Sequence, residues 1–455
     1  MDTNIILGGG LGGLILAKKL VSRGLRKIVL IEGSSEVGGL LKSISYENFG
    51  NFDYGTHYFT NTYGEEITGY ILECLPKNQW QFHKGVRSDL SGNYYQGKLN
   101  LDTCFLNLLS DKVNLNSFLG NIIITQFRDN KKNEKLNKSA YEYLERLYGE
   151  DVTLKVFNPI INKLYNHDLT EMNEFALKLF PFSRLVLFPT KIAKDILRTK
   201  ILNKISAFPK QLDLPKSLHP TYSSFYPKKR GLQQVVNNLK TQLEKDGVKV
   251  LTNTRIVELE INNKIQSVLL DNNLNLHVKN FFSTVSLFQL KNLFDIKLNQ
   301  GDLDRGRNTA VTNICLSKIK NTNFRHYIYC FDPDFSSYRI TFYNNITLDF
   351  EDKVSLTVES LHDQQIDSET LNKKIVNELI KMQIVDNIKS VEFVDSKFLP
   401  YGFPVATKNN VNHMTNIRES INNLNISNLY KFGAFSEPEV FFMRDVLKQI
   451  DTFEI

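Results

Sequence analysis

At 455 residues the chain is too long for one compact core and suits two or three interleaved domains. Its 42% hydrophobic and 23% charged residues are ordinary for a globular protein. The net charge of +7 favours an anionic substrate or reports a dispersed excess of surface lysine, and the basic clusters Lys131-Lys132 and Lys228-Lys229-Arg230 are too short, and too poor in interleaved aromatics, for a nucleic-acid module.

Residues 4–7 (Asn-Ile-Ile-Leu) predict a short buried strand running into Gly8-Gly9-Gly10-Leu11-Gly12-Gly13, with G-x-G-x-x-G on Gly8, Gly10 and Gly13. An apolar-periodic helix follows, with Leu14, Leu16, Ala17, Leu20 and Val21 inward, and a second apolar strand, Lys27-Ile-Val-Leu-Ile31, ends on Glu32. Each glycine stands there for a physical reason. Gly8 turns the chain, Gly10 lets a pyrophosphate approach the backbone, and Gly13 lets the helix pack on the sheet. Phosphates then sit at a helix N-terminus, where N–H groups and the dipole favour negative charge. Glu32 is placed to accept hydrogen bonds from a ribose and would repel a 2′-phosphate, which argues against NADP.

Past the acid come Gly33, the doublet Gly38-Gly39, Leu40, and then Phe52-Asp53-Tyr54-Gly55-Thr56-His57. This succession resembles the flavoprotein superfamily of amine oxidases, protoporphyrinogen oxidases, carotenoid desaturases and UDP-galactopyranose mutase. In it a Gly-Gly doublet approaches FAD and an Asp-x-Gly-x-His segment lies beside the flavin ring. Leu40, where many amine oxidases carry Arg, is more like the protoporphyrinogen oxidase and mutase branches, and Tyr54-Gly-Thr-His-Tyr-Phe-Thr60 is similar to the mutase pattern. The resemblance implies FAD as cofactor. It also implies an α/β fold, a Rossmann-like FAD-binding domain with an interleaved antiparallel-sheet substrate domain and a helical cap.

Further along, residues 64–75 predict a helix, 80–101 alternate like short strands, and 102–205 are mostly helical apart from a polar loop at 129–138. Tyr226-Pro227 and Gly231 precede a helix over 232–243 and the segment Val248-Lys-Val-Leu-Thr-Asn253-Thr-Arg-Ile256. Ile256 stands where the superfamily's Val meets adenine through its backbone. Strands follow over 281–285, 310–316, 327–331, 338–343 and 354–359, then a helix over 368–382 and Tyr401-Gly-Phe-Pro404, similar to a family turn. Leu429-Tyr-Lys-Phe-Gly433 and a helix over 443–450 resemble the element that closes the FAD site, with Gly433 and Met443 as its contacts. The expected domains are thus 1–79, 226–305 and 405–455 for FAD, 80–225 for a largely helical cap, and 306–404 for the substrate sheet.

The resemblance gives the cofactor-binding set Gly8, Gly10, Leu11, Gly12, Gly13, Glu32, Gly33, Gly38, Gly39, Leu40, Gly55, Thr56, His57, Ile256, Gly433 and Met443. His57 is the first candidate for chemistry, as a hydrogen-bond donor or acid–base group, or as a structural neighbour of the flavin. Asp53 reads as a residue that caps or orients its turn. Arg184 and Arg339 are candidate anion-binding residues, though Arg339 is equally able to pair with Glu359 on a neighbouring strand. Ala434, Pro438, Val440 and Phe442 stand where mutases carry Arg, two tyrosines and Asp, so cations and aromatics for a UDP-sugar are missing there. An FAD-dependent oxidoreductase passing hydride from a small or nucleotide-linked substrate to flavin N5 is the leading expectation. A redox-neutral mutase using reduced FAD and a non-catalytic FAD-binding protein are the alternatives.

Four cysteines without C-x-x-C spacing fit a reducing compartment and argue against zinc or a disulfide framework, so no metal is expected. The apolar runs stop short of the roughly eighteen residues that cross a bilayer. The stretch 185–188 suits either membrane-surface contact or, better, a buried core. With the nucleotide strand opening the chain and leaving no room for a signal peptide, a cytoplasmic location is expected.

Overall fold

The computed structural model describes residues 2–127, 139–297, 303–317, 325–348 and 353–455. The expected polar loop at 129–138 and Lys131-Lys132 lie outside the described residues. The chain divides into two compact units, one of residues 1–82, 222–302 and 412–455, the other of residues 83–221 and 303–411.

The first unit is built on a sheet whose strands, in chain order, are β1 (Thr3–Leu7), β2 (Ile28–Ile31), β3 (Lys249–Leu251), β4 (Ile256–Ile261), β5 (Ile265–Leu270), β6 (Asn275–Ser283) and β7 (Leu429–Lys431). Their order is β3-β2-β1-β6-β5-β4, with β7 also pairing β6. The pairs β1–β2, β2–β3, β1–β6 and β6–β7 are parallel, whereas β5 runs antiparallel to β4 and β6. All four β2 residues are buried, as expected of a parallel strand covered on both faces. The strand order reverses at β1, since β2 lies on one side and β6 on the other, and such a switch opens a crevice at the carboxyl ends of the strands. Helices α1 (Leu11–Ser22), α2 (Gln233–Lys245) and α3 (Met443–Thr452) belong to this unit.

Lys19 explains how α1 and α3 are joined. It is 2% exposed, and its ammonium donates to the carbonyls of Ile450 (2.9 Å) and Asp451 (2.5 Å), in the last turn of α3. A cation at a helix C-terminus satisfies orphan carbonyls and complements the dipole.

The second unit carries a seven-stranded sheet in the order Val391–Phe403, Arg307–Leu316, Val354–His362, Ser337–Phe342, Tyr327–Cys330, Ser91–Tyr95, Lys98–Asn100. Ser91–Tyr95 pairs in parallel with Tyr327–Cys330. The sheet is therefore not confined to 306–404, nor wholly antiparallel, and the expected cap and substrate segments share this unit. Helix Ser368–Lys381 lays Leu371, Ile375, Val376 and Leu379 against Ile314, Ile340, Leu356 and Val358 of the sheet. The expected turn at Tyr401–Pro404 is a strand instead: residues up to Phe403 pair with Arg307–Leu316, through a bulge in which Leu399 and Phe403 face Thr309 and Arg307. Tyr401 takes a positive φ of 53° within that bulge. Of the stretch 185–188, Leu185, Val186 and Leu187 are fully buried and belong to the core, while Phe188 is half-buried.

His326 gives this unit a pH dependence. It is 2% exposed, and its ring lies 4.5 Å from the His83 ring, tilted by 58°. Burial, followed by the His83, Arg325 and Arg87 charges, pushes its pKa down from 6.5 to about 3. An unfolded histidine takes its proton first, so this contribution to stability is complete above pH 6.5 and is lost as pH falls towards 3. At pH 5 the loss is about 2 kcal/mol. Chemical denaturation from pH 7 to 5 is expected to show a decline to which buried His362, pushed down to about 4, also contributes, and His326→Phe is expected to reduce it by about 2 kcal/mol; an unchanged decline in the variant would assign it elsewhere.

Candidate functional site

The glycine turn between β1 and α1 lies at the carboxyl end of the switch strand. Gly8 has φ +105°, and a Cβ there would stand 2.7 Å from Thr284 Oγ1. A Cβ on Gly13 would lie 1.9 Å from the Gly8 carbonyl oxygen, so only glycine lets α1 start this close to the turn. Gly10 is different. A Cβ there meets only the Gly39 Cα at 4.0 Å, so the protein itself leaves the space over Gly10 open.

α1 begins with Gly10 as its N-cap, without a side-chain capping bond and without an acidic residue in the first turn. Its N-terminal N–H groups and positive dipole end thus border that open space. Gly38 forms a bridge with Gly10 and donates its N–H to the Gly9 carbonyl at 2.8 Å, which brings the glycine doublet against the first turn. The doublet takes positive φ at both positions, +125° and +57°. Gln233 Oε1, buried and without a hydrogen-bond partner, lies 3.5 Å from a Cβ built on Gly38. An open cradle beside an uncapped helix start fits a dinucleotide pyrophosphate, whereas the orphaned Gln233 acceptor at its rim suits a hydroxyl donor such as a ribose and not a phosphate oxygen.

Glu32 organises the adjoining corner. One carboxylate oxygen accepts from Gly9 N (2.7 Å), the other from Ser34 N (2.8 Å) and Ser34 Oγ (2.6 Å). Its backbone N–H donates to the Leu251 carbonyl, and its carbonyl accepts from Thr254 N, which draws the β3–β4 connection alongside. Arg255 lies beside Gly33, and Ile256 opens β4. Leu40 is 73% exposed.

Asp53 is fully buried at the end of strand Gly50–Asp53 and accepts from Ser43 Oγ (2.6 Å), Tyr226 OH (2.5 Å) and Leu232 N (2.8 Å). Burial pushes its carboxyl above the usual range, against those donors and the Arg230 charge. Asp53 thereby ties the start of α2 to the turn that carries Gly55, Thr56 and His57. Gly55 has φ +109°, and Thr56 and His57 are half-buried between strands Gly50–Asp53 and Phe59–Thr60. Tyr226→Phe removes a hydroxyl that also accepts from Gly231 N at 3.0 Å. We expect it to cost about 1–3 kcal/mol in urea unfolding; an unchanged midpoint would show that the hydroxyl is dispensable.

The C-terminal element completes the group. A Cβ on Gly433 would lie 1.7 Å from the Val285 carbonyl oxygen, and a Cβ on Gly12 would meet Val446 of α3 at 3.1 Å. Met443 is the first residue of α3. Glycines and acid of the N-terminal turn, doublet, His57 turn, Ile256, Gly433 and Met443 all belong to the first unit, whereas Arg184 and Arg339 belong to the second. Arg339 Nε and Nη2 donate to the two oxygens of Glu359 at 2.5 and 2.6 Å, and Tyr338 OH donates to the same carboxylate at 2.8 Å. Arg184 is half-buried and its charge reaches the Tyr148 phenol. Three participants carry no signal in the sequence: Thr284, whose Oγ1 donates towards the Leu7 and Gly8 carbonyls, Gln233 and Lys19. Among the described residues no group of His, Cys, Asp and Glu forms a candidate metal site, and no helix is long and apolar enough to cross a membrane.

A family model for an NAD(P)-binding Rossmann-like domain matches residues 6–73. No curated protein matches the sequence. Among solved structures, reduced UDP-galactopyranose mutase is similar at TM-score 0.73 and 15% identity, over 99% of this chain and 93% of the other. A structure assigned as a protoporphyrinogen oxidase from Exiguobacterium sp. 255-15 follows at 0.66 and 14%, covering 99% and 97%. A putrescine oxidase variant is similar at 0.63 and 11%, covering 99% and 96%. The fold of the chain is thus similar to the folds of these structures, and its dinucleotide turn lies in the segment that matches a Rossmann-like domain.

Proposed function

We propose that the protein is an FAD-dependent oxidoreductase that oxidises a substrate C–H bond. The observation that carries this choice over the mutase is the connection between β7 and α3. Residues 433–442 contain Glu437 and Glu439 but no Lys or Arg. Phe435, Phe441 and Phe442 pack edge to face there, at centroid separations of 5.2 and 5.1 Å. A segment with no Lys or Arg of its own, rich in packed rings and carrying two exposed glutamates, suits an uncharged or amine-bearing group better than a diphosphate.

In this reading Gly10 and the start of α1 receive the pyrophosphate, with Gly8, Leu11, Gly12 and Gly13 shaping the turn. Glu32 and Gly33 hold the ribose, while Gly38, Gly39, Leu40 and Ile256 border the adenosine half. Gly55, Thr56, His57, Gly433 and Met443 border the ring. Bound FAD supplies a two-electron acceptor for the substrate's hydride. His57 holds or takes the proton that leaves with it. Arg184, which makes no ion pair among the described residues, is the second unit's candidate for binding an anion. The fork of Arg339 is committed to Glu359 and braces the sheet.

The mutase remains the second reading because of Tyr54-Gly-Thr-His and the 0.73 similarity. One experiment separates the two. The protein should purify with an oxidised-flavin spectrum that amine substrates bleach anaerobically, while dithionite-reduced protein leaves UDP-galactopyranose unchanged. Conversion of that sugar without net redox change would establish the mutase. A colourless protein whose melting temperature ignores added FAD would defeat both enzyme readings.

A further inference from the structure

Residues 187–204 form a lobe of the second unit whose two ends meet at almost the same point. Leu185 N donates to the Ile205 carbonyl (2.9 Å) and Ala207 N to the Leu185 carbonyl (2.7 Å), so a single bridge between Leu185 and Ser206 closes the excursion. Inside it are one short helix, Thr190–Ile196, and a series of turns. Leu187 and Ala193 are buried and fasten the lobe to the core. The outer surface is of another kind: Ile192 and Ile201 are 47% and 38% exposed, and Lys191, Lys194, Arg198, Lys200 and Lys204 are exposed around them. One carboxylate, Asp195, opposes these five cations, in a solvent-exposed contact of 3.8 Å with Arg198.

Exposed branched aliphatic residues set among unpaired lysines are costly to leave in water and match a surface that is apolar beneath and anionic on top. A lipid bilayer with anionic headgroups has that composition, and its potential attracts clustered Lys and Arg over about a Debye length. A single-stranded nucleic acid would call for exposed aromatic rings, and the lobe carries one aromatic, the half-buried Phe188; a duplex would engage the cations but leave Ile192 and Ile201 in water. A peptide partner would call for a long helix face or a strand edge, and the lobe has neither.

We propose that the 187–204 lobe docks the protein on an anionic membrane surface, with Ile192 and Ile201 entering the headgroup–acyl boundary and the five cations lying among lipid phosphates. The proposal is independent of the cofactor and the reaction.

Co-sedimentation of the full-length protein with vesicles tests it, using phosphatidylcholine alone and phosphatidylcholine with phosphatidylglycerol. The anionic vesicles should bind the protein at least tenfold better than the neutral ones, and added salt should release it. The exposed-site double variant Ile192→Asp/Ile201→Asp and the triple variant Lys191→Glu/Lys194→Glu/Lys200→Glu should each lose at least tenfold in binding, with unchanged circular dichroism and melting temperature. Equal binding to both vesicles, no binding to either, or variants that bind like the native protein would overturn the proposal. So would a change in sedimentation mass on the double substitution without vesicle binding, which would make the lobe a self-association surface.

Discussion

Gly10→Val is expected to give a folded protein that has lost its dinucleotide, whereas Gly13→Val is expected not to fold at all. Both positions belong to one glycine motif, yet the surrounding atoms ask different things of them. A Cβ at Gly13 falls 1.9 Å from the Gly8 carbonyl oxygen, a backbone atom that no rotamer change can move aside. The helix would have to lift off the sheet, and the cost should exceed about 4 kcal/mol. At Gly10 the backbone is extended, with φ −69° and ψ 177°, which any residue adopts, and no protein atom comes closer than 4.0 Å to the added carbon. The first carbon of a valine side chain therefore has room, and the side chain fills the approach to the α1 N-terminus, where a pyrophosphate would need direct contact with N–H groups. Gel-filtered Gly10→Val should keep the native melting profile of the ligand-free protein and show no flavin band, with FAD affinity reduced by at least about a hundredfold. A Gly10→Val protein that stays yellow would place the cofactor elsewhere.

That contrast also explains which parts of the molecule are readable from the chain alone. The strand, turn, helix and acid of residues 3–32 are local in sequence and each residue type has a single geometric reason to be there, so the site's first half can be written out from the chain. The participants that carry no local signal act over long separations. Lys19 meets Ile450 and Asp451, and Thr284 meets Leu7 and Gly8; nothing near either residue announces its partner. Two elements are hidden by composition. The strand Val391–Phe403 contains Pro400 and Gly402, which read as a turn, but it pairs on one side only, and proline is tolerated at a sheet edge. The helix Lys408–Asn423 is rich in asparagine, a poor helix former, and its periodicity survives only in the buried positions His413, Ile417 and Ile421. Ile417 and Ile421 pack against Leu287 and Leu290, so tertiary burial outweighs propensity there.

The pairing of Arg339 leads to the second large effect. Glu359→Leu is expected to destabilise the protein by about 3–5 kcal/mol, and Arg339→Met combined with Glu359→Leu to recover most of that loss. Strand register sets Arg339 directly opposite Glu359, and the side chains are 23% and 5% exposed. Burial alone works against the arginine's charge; the adjacent carboxylate overrides it and holds the guanidinium protonated. Removing only the carboxylate leaves a largely buried cation without its partner, and it also takes away the acceptor of the Tyr338 hydroxyl. Removing both charges leaves apolar side chains of similar volume, so the desolvation cost disappears with the attraction. A deep single loss with recovery in the double variant is therefore the signature of a brace, and denaturant midpoints of the three proteins would display it. If Glu359→Leu stayed within about 0.5 kcal/mol of the native protein, the pair would not hold the sheet, and Arg339 would again have to be weighed as a substrate-binding cation. With the pair acting as a brace, the proposal above leaves Arg184 as the candidate anion-binding residue of this unit. The double variant should then keep its substrate affinity, while Arg184→Met should raise KM with little change in kcat.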